Sequence, residues 1–67
     1  MNMQLTLYGA RPQRLRAQAL LENCPQVRRI DMLADGRTLR LTLGAPLPEG
    51  ELLALLRTSG VSGLSIG

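Results

Sequence analysis

The pair Asp35-Gly36 stands between two short runs, 27–33 and 38–43, in which apolar and polar residues alternate. Asp-Gly between alternating runs is a strong β-hairpin signal, because both central residues of a type I′ turn need positive φ. The register follows from the residues themselves. With Ala34 opposite Arg37, Met32 faces Leu39, Ile30 faces Leu41 and Arg28 faces Leu43. On the other face Asp31 lies opposite Arg40, and Arg29 lies opposite Thr42. A slip of one residue would turn every side chain to the wrong face. This register instead gathers the apolar pairs on one face and an opposite-charge pair on the other. The agreement of turn and register makes an antiparallel hairpin with one buried face the most secure local feature of the chain.

The flanking segments supply what the hairpin needs. Residues 3–8 alternate with the strand period, with Met3, Leu5 and Leu7 inward and Gln4, Thr6 and Tyr8 outward. Gly9 breaks the pattern, and Pro12 suits a first helical turn. From Pro12 to Asn23 the chain is rich in the helix formers Leu, Ala, Gln and Arg. Ala17, Leu20, Leu21 and Cys24 fall on one helical stripe, and Pro25 stops the helix. After a turn-rich connection over 44–48, Pro48, Glu49 and Glu51 suit a second helix start. That helix presents Leu52, Leu53 and Leu56 inward and closes on Gly60. Residues 61–66 read as a last strand with Leu64 and Ile66 inward. The order β-α-β-β-α-β, with right-handed crossovers, is that of a ferredoxin-like plait. It is an α+β fold with a four-stranded antiparallel sheet and two helices on one face. The open face would carry Gln4, Thr6, Arg29, Asp31, Arg40, Thr42 and Ser65.

Composition narrows the functions available to this frame. At 67 residues, 45% hydrophobic and 19% charged, residues 1–67 form one small globular domain. No apolar run approaches the roughly 20 residues needed to cross a bilayer, so no membrane span is expected. The start Met1-Asn2-Met3-Gln4 has no basic segment leading into an apolar stretch, and a cytoplasmic location is expected. There is one cysteine and no histidine, which excludes an internal disulfide and any zinc site of several thiolates. All eight basic residues are arginine, and the net charge of +3 is scattered rather than massed. That reads as a mildly basic, solvated surface rather than a nucleic-acid footprint.

Two stretches carry a resemblance to a known family. The segment Gln26-Val27-Arg28-Arg29-Ile30-Asp31-Met32 resembles the Gly-Val-x-x-Val-x-Val entry to the second strand of heavy-metal-associated domains, those of copper chaperones and metal-transporting ATPases. Leu52-Leu53-Ala54-Leu55-Leu56-Arg57-Thr58-Ser59-Gly60 resembles that family's second helix, which closes on a glycine. The family binds soft metals through a Met-x-Cys-x-x-Cys loop after the first strand. Here the loop reads Tyr8-Gly9-Ala10-Arg11-Pro12-Gln13-Arg14-Leu15. Aligned on Gly9, Pro12 and Leu15 occupy the cysteine positions; aligned on the helix stripe, Ala10 and Gln13 do. The resemblance thus implies the fold without its metal motif, and no metal, cofactor or metal-site residue is carried over. Leu21 to Val61, with its helix, hairpin, helix and Gly60-Val61 exit, resembles bacterial envelope modules that build rings or hold partners, which implies an interaction role.

The remaining candidates are weighed on chemistry. Cys24 sits on the helix's buried stripe and reads as a small hydrophobe, with a soft-metal carrier using Cys24 as the alternative. Met3 and Met32 fall on inward strand positions and read as core. Glu49 and Glu51 belong to a helix start, Asp35 to its turn, and Asp31 has Arg40 opposite it. The serines have no histidine to activate them, so no enzyme is expected. RNA binding on the open sheet would rest on Tyr8, Arg29 and Arg40, where base-stacking modules of this fold use several aromatics. The outward side of the first helix is the better candidate. Leu15 and Ala19 project there, beside Arg11, and Leu47 and Leu55 add apolar surface around the second helix. Apolar residues rimmed by arginine suit a protein partner or self-association.

Overall fold

The computed structural model describes residues 1–67. The elements are β1 (Asn2–Tyr8), α1 (Arg11–Glu22), β2 (Val27–Met32), β3 (Thr38–Leu43), α2 (Glu49–Leu56) and β4 (Gly63–Ile66), with a 3-10 turn at Arg57–Ser59. The sheet order is β2-β3-β1-β4, antiparallel throughout. This is the ferredoxin-like plait. Both helices lie on one face, since Ala17 and Leu21 of α1 share a core with Leu52 and Leu56 of α2. Leu5, Leu7, Leu39, Leu41 and Leu43 provide the sheet side of that core.

The hairpin register stands from Met32↔Leu39 through Arg29↔Thr42. It then departs from expectation. Val27, not Arg28, pairs with Leu43, because a β-bulge inserts Arg28 as an extra residue. A continuous register would have aimed a guanidinium at the core. The bulge rotates Val27 onto the apolar row and leaves Arg28 exposed, its side chain lying across Gly44, where no Cβ obstructs it.

The turn is also a correction. It is a four-residue loop, with Leu33 N–H donating to Thr38 O at 2.8 Å and Gly36 N–H donating to Leu33 O at 3.1 Å. Only Gly36 is left-handed, at φ 70°, and Asp35 has no positive φ. The Asp35 carboxylate accepts from the N–H groups of Arg37 and Thr38, at 2.9 and 2.8 Å. This side-chain mimicry of a backbone turn stabilises the wider loop over a type I′ turn.

Four leucine and methionine placements, at Leu47, Leu53, Leu55 and Met32, differ from expectation. Leu47 is in the core at 5% exposure rather than on the surface. With Pro48 as the N-cap of α2, Leu47 is N′ and Leu52 is N4, the two positions of a hydrophobic staple. Leu53 is exposed rather than inward, because the sheet-facing stripe of α2 runs through Leu52 and Leu56. Met32 is 46% exposed, at the last position of edge strand β2. Leu20 and Leu55 are partly buried against the core, and Ser59 is fully buried, its hydroxyl donating to Leu56 O at 2.6 Å.

One junction tightens the end of the domain where the candidate site lies. Gly9 has φ 134°, and a Cβ there would come within 3.1 Å of Ser62 N. Only glycine allows β1 to turn into α1 while Ser62 N–H donates to Tyr8 O at 2.9 Å. Gly60, at φ 83°, closes the 3-10 turn in the left-handed conformation.

Candidate functional site

In this topology the β1–α1 junction and the β2–β3 loop lie at the same end of the sheet. Between α1 and the loop runs a groove of about 460 Å³. Arg11, Arg14, Leu15 and Gln18 line it from α1, and Met32, Asp35, Gly36 and Arg37 line it from the hairpin. Leu15 and Met32 are 51% and 46% exposed, so the chain's own core leaves both uncovered.

The three guanidiniums differ in role. Arg14 holds the two walls together, its Nε donating to Gly9 O at 3.2 Å and its Nη1 to Gly36 O at 2.6 Å. Arg11 and Arg37 have no carboxylate within ion-pair distance, the one salt bridge in the molecule being Arg29–Asp31. Asp35 is the one carboxylate in the groove lining. It is occupied by the hairpin, accepting from the Thr38 hydroxyl at 2.6 Å as well as from two backbone N–H groups. The Thr6 hydroxyl in turn lies 3.0 Å from Thr38 Oγ1.

These bonds, the Thr38 hydroxyl first and then the N–H groups of Arg37 and Thr38, lower the Asp35 pKa from 3.8 to about 2. A carboxyl whose folded pKa lies below its unfolded value stabilises the fold above the unfolded value. That contribution is lost as the pH falls through the folded one. Stability is therefore expected to fall between about pH 4 and pH 2, and Asp35→Asn to flatten the fall. Urea unfolding of both proteins across that range measures it; identical pH profiles would assign the acid sensitivity elsewhere.

The remaining candidates from the sequence do not converge on this groove. Ala19 is exposed in a separate shallow depression with Arg16, Leu20 and Thr58. Leu47 is buried, and Leu55 packs against the core, so neither adds the apolar surface expected of it. Tyr8, Arg29 and Arg40 lie on the open sheet face but are dispersed. Tyr8 is four residues along β1 from Gln4, the register partner of Arg40, which separates them by about 14 Å. Asp31 pairs with Arg29 at 3.1 Å on its own strand rather than with Arg40 across the ladder. Cys24 is buried, with its thiol 3.0 Å from Gln26 Oε1, and Gln26 Nε2 donates to Glu51 Oε1 at 3.0 Å. No group of three or more His, Cys, Asp or Glu is placed to hold a metal ion.

Of the groove residues, Leu15 and Arg11 were legible on the outward side of the first helix, whereas Met32, Arg14 and Arg37 were not. The signal for them is topological: a βαββαβ plait brings the first connection and the hairpin loop together. No helix is long and apolar enough to cross a membrane. No family model, no curated protein and no solved structure matches the chain.

Proposed function

We propose that this chain is a non-catalytic protein-interaction or assembly module, with a heavy-metal-associated-like layout and no standard metal site. The observation that carries this reading is the groove, where Leu15 and Met32 stand uncovered between arginines. Single exposed leucines are ordinary. Two large apolar side chains facing one cleft, rimmed by Arg, have the composition of an interface centre and its edge.

Leu15→Asp is expected to abolish partner capture while leaving the fold intact, since half of the Leu15 surface already meets solvent. Pull-down from the native host with the wild type and the variant, beside their circular dichroism and melting curves, checks both halves. Undiminished capture by the folded variant would overturn the reading.

Assembly through the sheet has one edge open to it. Edge strand β2 carries a bulge and the charges of Arg28, Arg29 and Asp31, devices that discourage strand addition. Strand β4, four residues long, carries neither a bulge nor a charge. Gln4 and Gly67 exchange both backbone bonds, so the alternation of the ladder turns the N–H and C=O of Leu64 and Ile66 outward.

A metal carrier would need ligands that this chain does not bring together. Cu(I) binding is expected to be no tighter than about micromolar, equivalent to about 8 kcal/mol. Competition against a calibrated chelator, with wild type and Cys24→Ser, measures this. Stoichiometric submicromolar binding lost in Cys24→Ser would restore the carrier function.

A further inference from the structure

The groove between α1 and the hairpin holds more positive charge than the fold uses. Arg14 is structural, bridging Gly9 O and Gly36 O. Arg11 and Arg37 bridge nothing, yet both line the groove. The first turn of α1 carries no acidic residue, although the helix dipole favours one there and disfavours arginine. Asp35 is the one carboxylate among the three guanidiniums; its oxygens accept three hydrogen bonds from the hairpin, and it attracts Arg37 through space without forming an ion pair. Three guanidiniums against one carboxylate thus leave positive charge in excess at the positive end of a helix, around Leu15 and Met32.

We propose that the groove docks an acidic, amphipathic segment of a partner protein, with carboxylates on Arg11 and Arg37 and an apolar side chain between Leu15 and Met32. This rests on the interaction-module reading and names the chemistry of the partner. Arginine's planar fork matches a carboxylate in two parallel hydrogen bonds. A segment bearing acids supplies the negative charge missing from the first turn of α1. Its apolar residue removes from water the two side chains that the core leaves exposed. A nucleic-acid backbone would satisfy the guanidiniums but would leave the phosphate-bearing strand against Leu15 and Met32.

The test is a selection of random short peptides, displayed on phage, against the immobilised wild-type chain. The selected peptides are expected to place Asp or Glu beside Leu, Ile or Phe. They should shift the amide resonances of Arg11, Leu15, Met32 and Arg37, and bind more weakly as salt is raised. The double variant Arg11→Gln, Arg37→Gln should lose about tenfold or more in affinity for them. A charge-reversed pair, Arg11→Glu with Arg37→Glu, should select peptides bearing Lys or Arg instead. Arg14 stays unchanged throughout because it holds the walls. Neutral or basic peptides that depend on Leu15 would overturn the acidic partner and keep the interaction module. Acidic peptides that bind the glutamine variant equally well, or tighter binding of a single-stranded oligonucleotide at the same resonances, would also overturn it. Selection of no peptide that is lost on Leu15→Asp would remove both readings.

Discussion

Leu41→Ala is expected to lose about 2–5 kcal/mol of stability, the range for truncating a buried leucine whose surroundings cannot fully collapse. Leu41 is fully buried on β3, a central strand, with Met3 opposite on β1 and Ile30 opposite on β2. All three point at the helices, so the vacated volume is bounded by strands on both sides. At about 0.05–0.15 kcal/mol per residue, the whole domain has only about 3–10 kcal/mol to lose. The substitution therefore consumes a large fraction of the total, and the urea midpoint should fall by about 1–5 M for a slope near 1–2 kcal/mol/M. A midpoint within about 0.3 M of wild type would show that β3 is not the centre of the core.

Leu47→Asp should be more severe and leave the chain unfolded at neutral pH. Leu47 is 5% exposed in the same core cluster as Leu52. A carboxylate there would lose its hydration among apolar side chains, at an effective cost of several kcal/mol, in addition to the lost leucine packing. The comparison with Leu15→Asp makes the result specific. The same chemical change, at a leucine 51% exposed, should leave the melting curve nearly unchanged. Circular dichroism of the two variants side by side checks this. A folded Leu47→Asp would mean that the 44–48 connection does not close the core.

These two leucines show where local sequence information ends. Both follow plausible surface positions, one outside the α1 stripe and one in a turn-rich connection. Leu47 was legible as a staple residue only once Pro48 was recognised as the N-cap, since the motif counts from that residue. The bulge at Arg28 has a similar status. Alternation alone extends the register to Arg28↔Leu43, while the energy of an inward guanidinium argues against that last pair. The bulge resolves the conflict by placing Val27 opposite Leu43.

The candidate groove was half legible. Arg11 and Leu15 share a helix and could be placed together by periodicity. Met32 and Arg37 are brought to them by topology, through a helix crossing over the sheet and a hairpin turning back at the same end. Met32 has the alternation of a core residue, and nothing in its own neighbours reports that it is left half exposed.

The element order, the hairpin register over residues 29–32 and the leucines of β1 and β3 on the sheet side of the core can all be read along the chain. Those features depend on side-chain periods of two along a strand and 3.6 along a helix, which are read over a few neighbouring residues. Which leucines the core covers, the wider loop that Asp35 serves, and the meeting of Arg11, Leu15, Met32 and Arg37 on one groove emerge only once the elements pack together. Coverage and convergence depend on distances between elements far apart in the chain, and two helices cannot cover every corner of a four-stranded sheet.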